Sequence, residues 1–212
     1  MDLGLYVITD ETIGGGRSHA AIAGEAVRGG ADVIQLRDKS RSCAELVAIG
    51  REIAAITREA GALFIVNDRL DVALACGADG VHLGQGDMRP GTARQLSPPG
   101  FIIGVSVGTA GEAVEAERDG ADYLALSPVF STASKDNAGP GLGLDRLREI
   151  RLRVSLPVVA IGGITRQNVR DVIAAGADGI AVISAVVALP DIAAAARDLK
   201  RIVRQNRRGS FR

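Results

Sequence analysis

The sequence has few cysteines, no net charge and no long apolar run, and each shortage excludes a class of protein. Cys43 and Cys76 are the only cysteines among 212 residues, so the chain is no disulfide scaffold and suits a reducing compartment. The 25 basic and 25 acidic residues cancel to a formal net charge of zero, which gives no overall signature for binding a polyanion. Gly, Asp and Arg interrupt every apolar run, so no segment is expected to cross a membrane.

The first residues of the chain also lack a targeting signal. No basic segment followed by an apolar one opens the sequence, so we expect no signal peptide and a cytoplasmic protein. The basic stretch from Lys200 is expected to extend the last helix and to continue as a tail from about residue 205, rather than to bind nucleic acid. The sequence leaves open whether the protein forms a homo-oligomer.

Eight short apolar runs recur along the chain, and each is near-continuous rather than alternating in polarity. This pattern is typical of strands that are buried on both faces of a parallel sheet. The predicted strands are LYVIT (5–9), VIQL (33–36), LFIV (63–66), GVHL (80–83), FIIGV (101–105), YLAL (123–126), PVVAI (157–161) and GIAVI (179–183).

Helix-like segments follow these runs, with apolar residues at helical spacing in the longer ones. Their predicted starts are Ala20, Cys43, Arg69, Thr92, Ala110, Leu144, Gln167 and Pro190. Eight strand–helix units in alternation predict a single (β/α)8 TIM barrel over residues 1–212, a length that such a barrel can fill as one domain.

The tripeptide Gly-Ala-Asp occurs four times, at residues 30–32, 77–79, 120–122 and 176–178, each time between a helical pattern and a strand. Glycine can end a helix in the left-handed conformation. The copies precede strands two, four, six and eight, which indicates a repeat of quarter barrels. Because they lie at the amino-terminal ends of strands, we interpret them as stabilising features.

In a TIM barrel the site lies at the carboxy-terminal ends of the strands, so polar residues there are candidates. Strand two ends with Gln35, Arg37, Asp38 and Lys39, so we expect an amide and two cations together at the barrel mouth, where the cations suggest a phosphate group. A solvated loop is the alternative interpretation of this segment.

Strands three and four are neighbours and lead into Asn67-Asp68 and into Gln85 and Asp87. Two converging carboxylates beside cations predict a Mg²⁺ site that also binds substrate phosphate. A general acid–base pair is the alternative chemistry. The structural alternatives are a helix N-cap at Asp68 and a turn residue at Asp87.

The remaining strand ends supply smaller polar groups. Ser106 after strand five is a candidate ligand contact, whereas Thr109 is expected to cap the next helix. Gly162-Gly163 after strand seven lets a ligand approach the backbone. The loops after strands seven and eight often form a phosphate site in this fold.

No residue stands out as a nucleophile. The sequence has no Gly-x-Ser-x-Gly motif, and neither cysteine follows a strand. His19 falls in the first helical region, and we interpret His82, within strand four, as a hydrogen-bonded interior residue rather than a catalyst. The pattern therefore predicts two anion sites, one metal-assisted, which suits two phosphorylated substrates and a diphosphate leaving group.

Nine motifs in register, from residue 5 to about residue 187, resemble the thiamine phosphate synthase (thiamine-phosphate pyrophosphorylase) family. They are YVITD (6–10), QLRDK (35–39), VND (66–68), DGVHLGQGD (79–87), IGVS (103–106), GADY (120–123), FSTASK (130–135), AIGGI (160–164) and ISAV (183–186). The resemblance implies condensation of 4-amino-5-hydroxymethyl-2-methylpyrimidine diphosphate with 4-methyl-5-(2-hydroxyethyl)thiazole phosphate to give thiamine phosphate and diphosphate. It implies that diphosphate leaves first and that the thiazole nitrogen captures the resulting pyrimidine-methyl cation.

The resemblance also implies roles for single residues. Asp68 and Asp87 would bind Mg²⁺. The residues implied to bind the pyrimidine diphosphate are Gln35, Arg37, Lys39, Asn67, Ser106 and Lys135, the last on the leaving diphosphate. Those implied to bind the thiazole phosphate are Thr132, Ser134, Gly163, Ile183 and Ser184. The implied catalytic residues are Lys135, Ser106, Arg37 and Lys39.

Two positions depart from the family pattern, and two other functions stay open. Ser134 stands where the family often has threonine, which keeps the hydroxyl, and Ser127-Pro128 replaces the usual Gly-Pro. Residues 131–141 are expected to form a lid that orders over both substrates and excludes water. The alternatives are a thiazole tautomerase-like paralogue, which needs no metal or diphosphate site, and a non-catalytic phosphate-binding barrel.

Overall fold

The computed structural model describes residues 1–132 and 140–207, in which strands and helices alternate along the chain. The strands are β1 (Leu5–Thr9), β2 (Val33–Leu36), β3 (Leu63–Asn67), β4 (Gly80–Leu83), β5 (Ile102–Val107), β6 (Tyr123–Leu126), β7 (Val158–Ile161) and β8 (Gly179–Val182). The helices are α1 (His19–Arg28), α2 (Cys43–Ala60), α3 (Leu70–Cys76), α4 (Pro90–Leu96), α5 (Ala110–Arg118), α6 (Gly143–Arg151), α7 (Val169–Ala174), α8 (Ser184–Val187) and α9 (Ile192–Arg207).

The strands form a closed parallel barrel in the order β1 to β8. Each strand pairs with the next, and β8 pairs back onto β1, where Leu5 lies opposite Ile180. Most strands are buried along their whole length, because one set of side chains fills the barrel and the other packs under the helices. The predicted (β/α)8 barrel is confirmed.

Most elements begin within two residues of their predicted positions, and the differences have local causes. β5 continues to Val107, which places Ser106 inside the strand rather than after it. α4 begins at Pro90, because proline suits the first turn of a helix. The sequence pattern does not predict α8, because a four-residue helix has no apolar period to detect.

The last helix, α9, closes the outer ring by packing against α7 and α1. It continues to Arg207, so the first three residues of the expected tail are helical, and residues 208–212 lie outside the described residues. In the part of the chain that the structure describes, no helix combines the length and the apolar character that a membrane span requires.

The four Gly-Ala-Asp turns make the same pair of hydrogen bonds at the amino-terminal end of the barrel. In each turn the Asp carboxylate accepts a hydrogen bond of 2.7–2.8 Å from a backbone N–H of the preceding strand. The Asp N–H donates to the carbonyl oxygen of that same strand residue at 2.8–2.9 Å. We call these contacts the Asp clamps; they join Asp32 to Leu5, Asp79 to Phe64, Asp122 to Ile103 and Asp178 to Val158.

The backbone conformation of these turns explains why glycine recurs at their first position. All four have positive φ, between 74° and 105°, the region that glycine enters without steric penalty. Each turn reverses the chain from a helix into an even-numbered strand and presents its Asp to the odd-numbered strand before it. The turns therefore lie at the end of the barrel opposite the functional end, as the sequence predicts, and their hydrogen bonds join neighbouring strands there.

Candidate active site

The predicted metal ligands Asp68 and Asp87 meet at the carboxy-terminal end of the barrel, above the adjacent strands β3 and β4. Asp68 follows β3 directly, and its N–H donates to the carbonyl oxygen of His82 at 2.8 Å. Burial, and then the neighbouring Asp87, raises the pKa of the Asp68 carboxyl, while Lys39 and Arg37 oppose the rise. Two carboxylates held this close repel each other, and a cation between them would relieve the repulsion.

The two structural alternatives for these carboxylates have different outcomes. Arg69, not Asp68, occupies the cap position of α3, and no side-chain hydrogen bond caps that helix, so the N-cap interpretation of Asp68 is wrong. Asp68 instead has a left-handed backbone with φ of 61°, which is uncommon outside glycine. Asp87 does lie in a turn, since its Oδ2 accepts a hydrogen bond from Gly84 N–H at 2.7 Å, and its role as a metal ligand stays a prediction.

The cations predicted after β2 lie beside this carboxylate pair. Lys39 Nζ is 3.7 Å from Asp68 Oδ2, and the Lys39 side chain is 68% exposed. Arg37 is half-buried and acts electrostatically on the same carboxyl. Asp38, between the two cations, points the other way, with its Oδ2 3.2 Å from His19 Nε2. The loop therefore presents two positive charges to the mouth of the barrel.

Gln35 does not emerge at the mouth with these cations, contrary to the sequence-based expectation. It lies within β2 and is only 2% exposed, because its side chain points into the barrel. Its amide nitrogen donates to the Tyr6 hydroxyl at 2.7 Å, and that hydroxyl lies 3.0 Å from the Tyr123 hydroxyl. Gln35 thus belongs to the floor of the site.

The hydrogen bonds continue from Tyr123 to Ser106 through His82. His82 Nδ1 lies 2.9 Å from the Tyr123 hydroxyl, and Nε2 lies 2.9 Å from Ser106 Oγ. His82 is therefore the hydrogen-bonded interior residue that the sequence predicts. We call the series Gln35, Tyr6, Tyr123, His82 and Ser106 the interior polar chain; it crosses the barrel from β2 to β5.

Burial raises the pKa of both tyrosine hydroxyls well above their usual range, so both stay protonated. A hydroxyl both donates and accepts hydrogen bonds, so each tyrosine hydroxyl can hold the side chains on both sides of it in the interior polar chain. Gly104 makes room for this arrangement, because a Cβ there would lie 2.0 Å from the Tyr123 ring. Gln35 and Ser106, two of the residues implied to contact the pyrimidine substrate, are the two ends of the interior polar chain.

The glycine pair after β7 has a role beyond the one predicted. Gly162 and Gly163 have positive φ, 102° and 61°. A Cβ would lie 2.6 Å from Pro128 Cβ at the first position and 2.7 Å from Phe130 Cβ at the second. The pair therefore admits the segment that follows β6, as well as leaving the backbone accessible to a ligand.

The candidate phosphate ligands of β7 and β8 lie side by side. Ile161 pairs with Ala181, so Gly163 and Ile183 each stand two residues beyond paired positions. Ile183 occupies the cap position of α8, and Ser184 begins that helix. The two loops that the sequence predicts to form the second anion site therefore follow adjacent strands, and the site itself stays a prediction.

The remaining predicted residues are only partly covered by the described structure. Thr132 is half-buried after β6, whereas Ser134 and Lys135 fall within residues 133–139, outside the described residues, as does most of the predicted lid. Asn67 ends β3 opposite His82. Thr109 caps α5 as predicted, because its Oγ1 accepts a hydrogen bond from Glu112 N–H at 3.2 Å.

Sequence reasoning did not single out Tyr6 and Tyr123, which join Gln35 to His82 in the barrel interior. A signal was present, since these are the only tyrosines in the chain and both fall at the start of predicted strands. Their mutual contact joins β1 to β6 across the barrel, and the pattern of one strand cannot show it.

Comparison with known proteins decides the family. Residues 5–186 match the family described as thiamine monophosphate synthase. The chain belongs to this family. A thiamine-phosphate synthase of Methanoregula boonei is 70% identical over 200 residues, which cover 94% of this chain and 93% of the relative. A thiamine-phosphate synthase of Methanoculleus marisnigri is 64% identical over 94% of this chain and 95% of the relative.

Solved structures agree with the family assignment. The thiamine phosphate pyrophosphorylase of Pyrococcus furiosus matches with a TM-score of 0.90 and 46% identity over 97% of each chain. A 3-hexulose-6-phosphate synthase matches with a TM-score of 0.68 at 20% identity, which shows the shared barrel alone. The resemblance carried by the nine motifs is thereby confirmed.

Proposed function

We propose that this chain condenses 4-amino-5-hydroxymethyl-2-methylpyrimidine diphosphate with 4-methyl-5-(2-hydroxyethyl)thiazole phosphate, giving thiamine phosphate and diphosphate. The bond between the pyrimidine methylene carbon and the diphosphate oxygen breaks. A bond forms between that carbon and the thiazole nitrogen. The electron pair leaves with the diphosphate, so no oxidant or reductant is needed.

The observation that carries this proposal is the juxtaposition of Asp68, Asp87, Arg37 and Lys39 directly above the interior polar chain. Charged groups for a diphosphate and polar groups for a heterocycle thus meet at one end of the barrel. Arg37 and Lys39 would neutralise the negative charge that grows on the departing diphosphate. Gln35 and Ser106, oriented by the polar chain, would hold the pyrimidine ring.

The sequence singles out no nucleophile, and the proposed reaction needs none from the protein. The thiazole nitrogen is already nucleophilic, so the protein needs to bring two substrates together and to exclude water. Gly163, Ile183, Ser184 and Thr132 would hold the thiazole phosphate beside the pyrimidine. Ser134 and Lys135, outside the described residues, keep the roles that the family resemblance implies.

The donor set at Asp68 and Asp87 suits Mg²⁺, which is commonly held by one or two carboxylates together with substrate phosphates. When bound, Mg²⁺ would supply Lewis-acid neutralisation of the diphosphate. The raised pKa of Asp68 supports this assignment, because it reflects two carboxylates placed together in a partly buried position. The hydrogen bond from Gly84 N–H fixes the orientation of the Asp87 carboxylate.

The direct test mixes the two substrates with Mg²⁺ and measures thiamine phosphate. Asp87→Asn is the decisive variant, because an amide oxygen can still accept the Gly84 hydrogen bond while the charge is lost. We expect Mg²⁺-dependent turnover to fall about 100-fold or more in a folded protein. Asp145→Asn is the matched control, since that carboxylate on α6 is 99% exposed, and it should keep wild-type activity.

Two results would contradict the proposal. Near-wild-type turnover in Asp87→Asn would remove the metal assignment. Folded wild-type protein that forms no thiamine phosphate would reject the synthase function, and turnover of a thiazole carboxylate phosphate would then identify the tautomerase alternative.

A further inference from the structure

A second polar cluster lies between the loop after β1 and the loop after β2. It consists of Thr9, Glu11, His19, Asp38 and Arg41, and we call it the loop anchor. His19, the first residue of α1, is only 1% exposed. The reaction proposed above uses none of these five side chains, so their burial and mutual contacts need a separate explanation.

His19 joins β1 to the loop after β2 through both ring nitrogens. Nδ1 lies 2.7 Å from Thr9 Oγ1, and the same hydroxyl oxygen lies 3.2 Å from the Gln35 carbonyl oxygen. Nε2 lies 3.2 Å from Asp38 Oδ2. Because a carboxylate only accepts hydrogen bonds, Nε2 carries a hydrogen. The ring is thus held on both sides.

The Asp38 carboxylate organises the loop that contains it. Its Oδ1 accepts hydrogen bonds from the N–H and the hydroxyl of Ser40, both at 2.7 Å, and from Arg41 N–H at 3.2 Å. Its Oδ2 accepts from Arg41 Nε at 3.3 Å as well as facing His19. Partial burial raises the pKa of this carboxyl, but these hydrogen bonds, led by those of Ser40, hold the pKa well below its usual range.

A metal ion is a poor occupant of this cluster. Glu11, His19 and Asp38 do place possible ligand atoms within 4.8 Å of one another. Arg41, however, donates to Glu11 Oε2 at 2.6 Å and to Asp38 Oδ2 at 3.3 Å, so a guanidinium already balances both carboxylates. A divalent ion would have to displace these charge-assisted hydrogen bonds.

The loop anchor has a direct relation to the candidate active site. Asp38 lies between Arg37 and Lys39, and it faces His19 while both cations act on Asp68. We propose that the loop anchor preorganises Arg37 and Lys39 for the substrate diphosphate, with His19 and Asp38 as positioning residues. The inference rests on the proposed function. Donors that are held in place before binding lose less conformational freedom when the ligand arrives.

The test compares His19→Asn, Asp38→Asn and the double variant with the unmodified protein. Steady-state kinetics gives KM for each substrate separately, and calorimetry gives the Kd of inorganic diphosphate with Mg²⁺. We expect each single variant to raise the pyrimidine diphosphate KM and the diphosphate Kd about 10-fold, with the thiazole phosphate KM unchanged. The loss in the double variant should be smaller than the sum of the two single losses, because both single variants remove the contact between His19 and Asp38.

Ile22→Val is the matched control for stability. Ile22 lies on α1 and is fully buried, so its truncation should destabilise the protein without changing the loop after β2. The control should leave both KM values and the diphosphate Kd unchanged. Urea unfolding confirms that each variant is folded under the assay conditions.

Three results would overturn the inference. They are an unchanged diphosphate Kd in folded His19→Asn and Asp38→Asn proteins, equal rises of both KM values, and additive losses in the double variant. Failure of the unmodified protein to make thiamine phosphate would instead reject the proposed function, and the diphosphate Kd would still decide the inference.

Discussion

Asp68 shows how one side chain can be unfavourable for folding and useful for binding. Its backbone has a positive φ, and its carboxyl lies partly buried beside Asp87. The folded-state pKa is raised by this burial and by the second carboxylate. The associated stability is therefore fully present below the unfolded-state pKa and is lost as the pH rises through the folded-state pKa. At neutral pH, without a cation, the ionised group disfavours the folded state.

We expect Asp68→Asn to raise the thermal unfolding midpoint of the metal-free protein at about pH 7, because the repulsion from Asp87 disappears. The difference should shrink at about pH 3, where the wild-type carboxyl is protonated in both states. Asparagine tolerates the left-handed backbone, so the substitution adds no backbone strain. Thermal unfolding at both pH values, with and without Mg²⁺, measures these effects.

The same variant should lose the stabilisation that Mg²⁺ gives to the wild-type protein. An Asp68→Asn protein that is less stable than wild type at both pH values would contradict the electrostatic explanation. A variant that Mg²⁺ stabilises as strongly as wild type would contradict the metal assignment.

The positions of Asp68, Asp87, Arg37 and Lys39 could be predicted from sequence, because parallel strands place their carboxy-terminal residues at one end of a barrel. The direction of a buried side chain could not. Gln35 was expected at the mouth and lies in the interior, where Tyr6 receives its hydrogen bond. The pattern of one strand does not show which residue of another strand lies across the barrel.

The paired strands, rather than the single strands, are the repeated elements of this barrel. Each Asp clamp holds an odd-numbered strand to the even-numbered strand that follows it. The contact uses both the N–H and the carbonyl oxygen of one strand residue, so it fixes the register at the amino-terminal edge. The sequence predicts these turns because glycine and aspartate recur at a fixed place.

We expect Asp79→Ala to lower the free energy of unfolding by roughly 1–3 kcal/mol, because the Phe64 N–H loses its carboxylate partner. The kcat/KM values should not change, since the clamp lies at the end of the barrel opposite the site. Urea unfolding and steady-state kinetics measure the two effects. An activity loss in a variant of unchanged stability would mean that the clamp acts on the site.

The segments between the elements were harder to predict than the elements themselves. The Gly162-Gly163 pair suggested a ligand contact, but its missing side chains also admit Pro128 and Phe130 from the segment after β6. α8 has only four residues, so its sequence cannot show the apolar periodicity of a helix. The predicted lid with Ser134 and Lys135 falls mostly outside the described residues, so its closure stays a prediction.

The complete barrel depends on contacts between the two ends of the chain. β8 pairs with β1, and α9 packs beside α1. Lys200 on α9 binds the Asp32 carboxylate of the first Asp clamp and lies 3.6 Å from Asp2. Arg207 donates to Asp2 at 2.6 Å. The last helix therefore stabilises the place where the ring of strands closes.

We expect Lys200→Met to lower the free energy of unfolding by roughly 1–3 kcal/mol, because the largely buried Asp32 carboxylate loses its cation. Arg201→Met is the matched control, since Arg201 is 53% exposed and pairs with Asp198 on its own helix. Urea unfolding of both variants measures the difference. Equal losses in the two variants would show that the contact with Asp32 has no special role.

The Asp clamps also determine where new chain termini can be introduced by circular permutation. Each clamp joins two strands that are consecutive in sequence. The barrel therefore consists of four modules, each of which is a pair of consecutive strands held by one clamp. A circular permutant opened at Gly61, between α2 and β3, leaves every clamp inside one module. An opening between β3 and β4 instead sends Phe64 and Asp79 to opposite ends of the new chain, and a contact that is local in sequence becomes a long-range one.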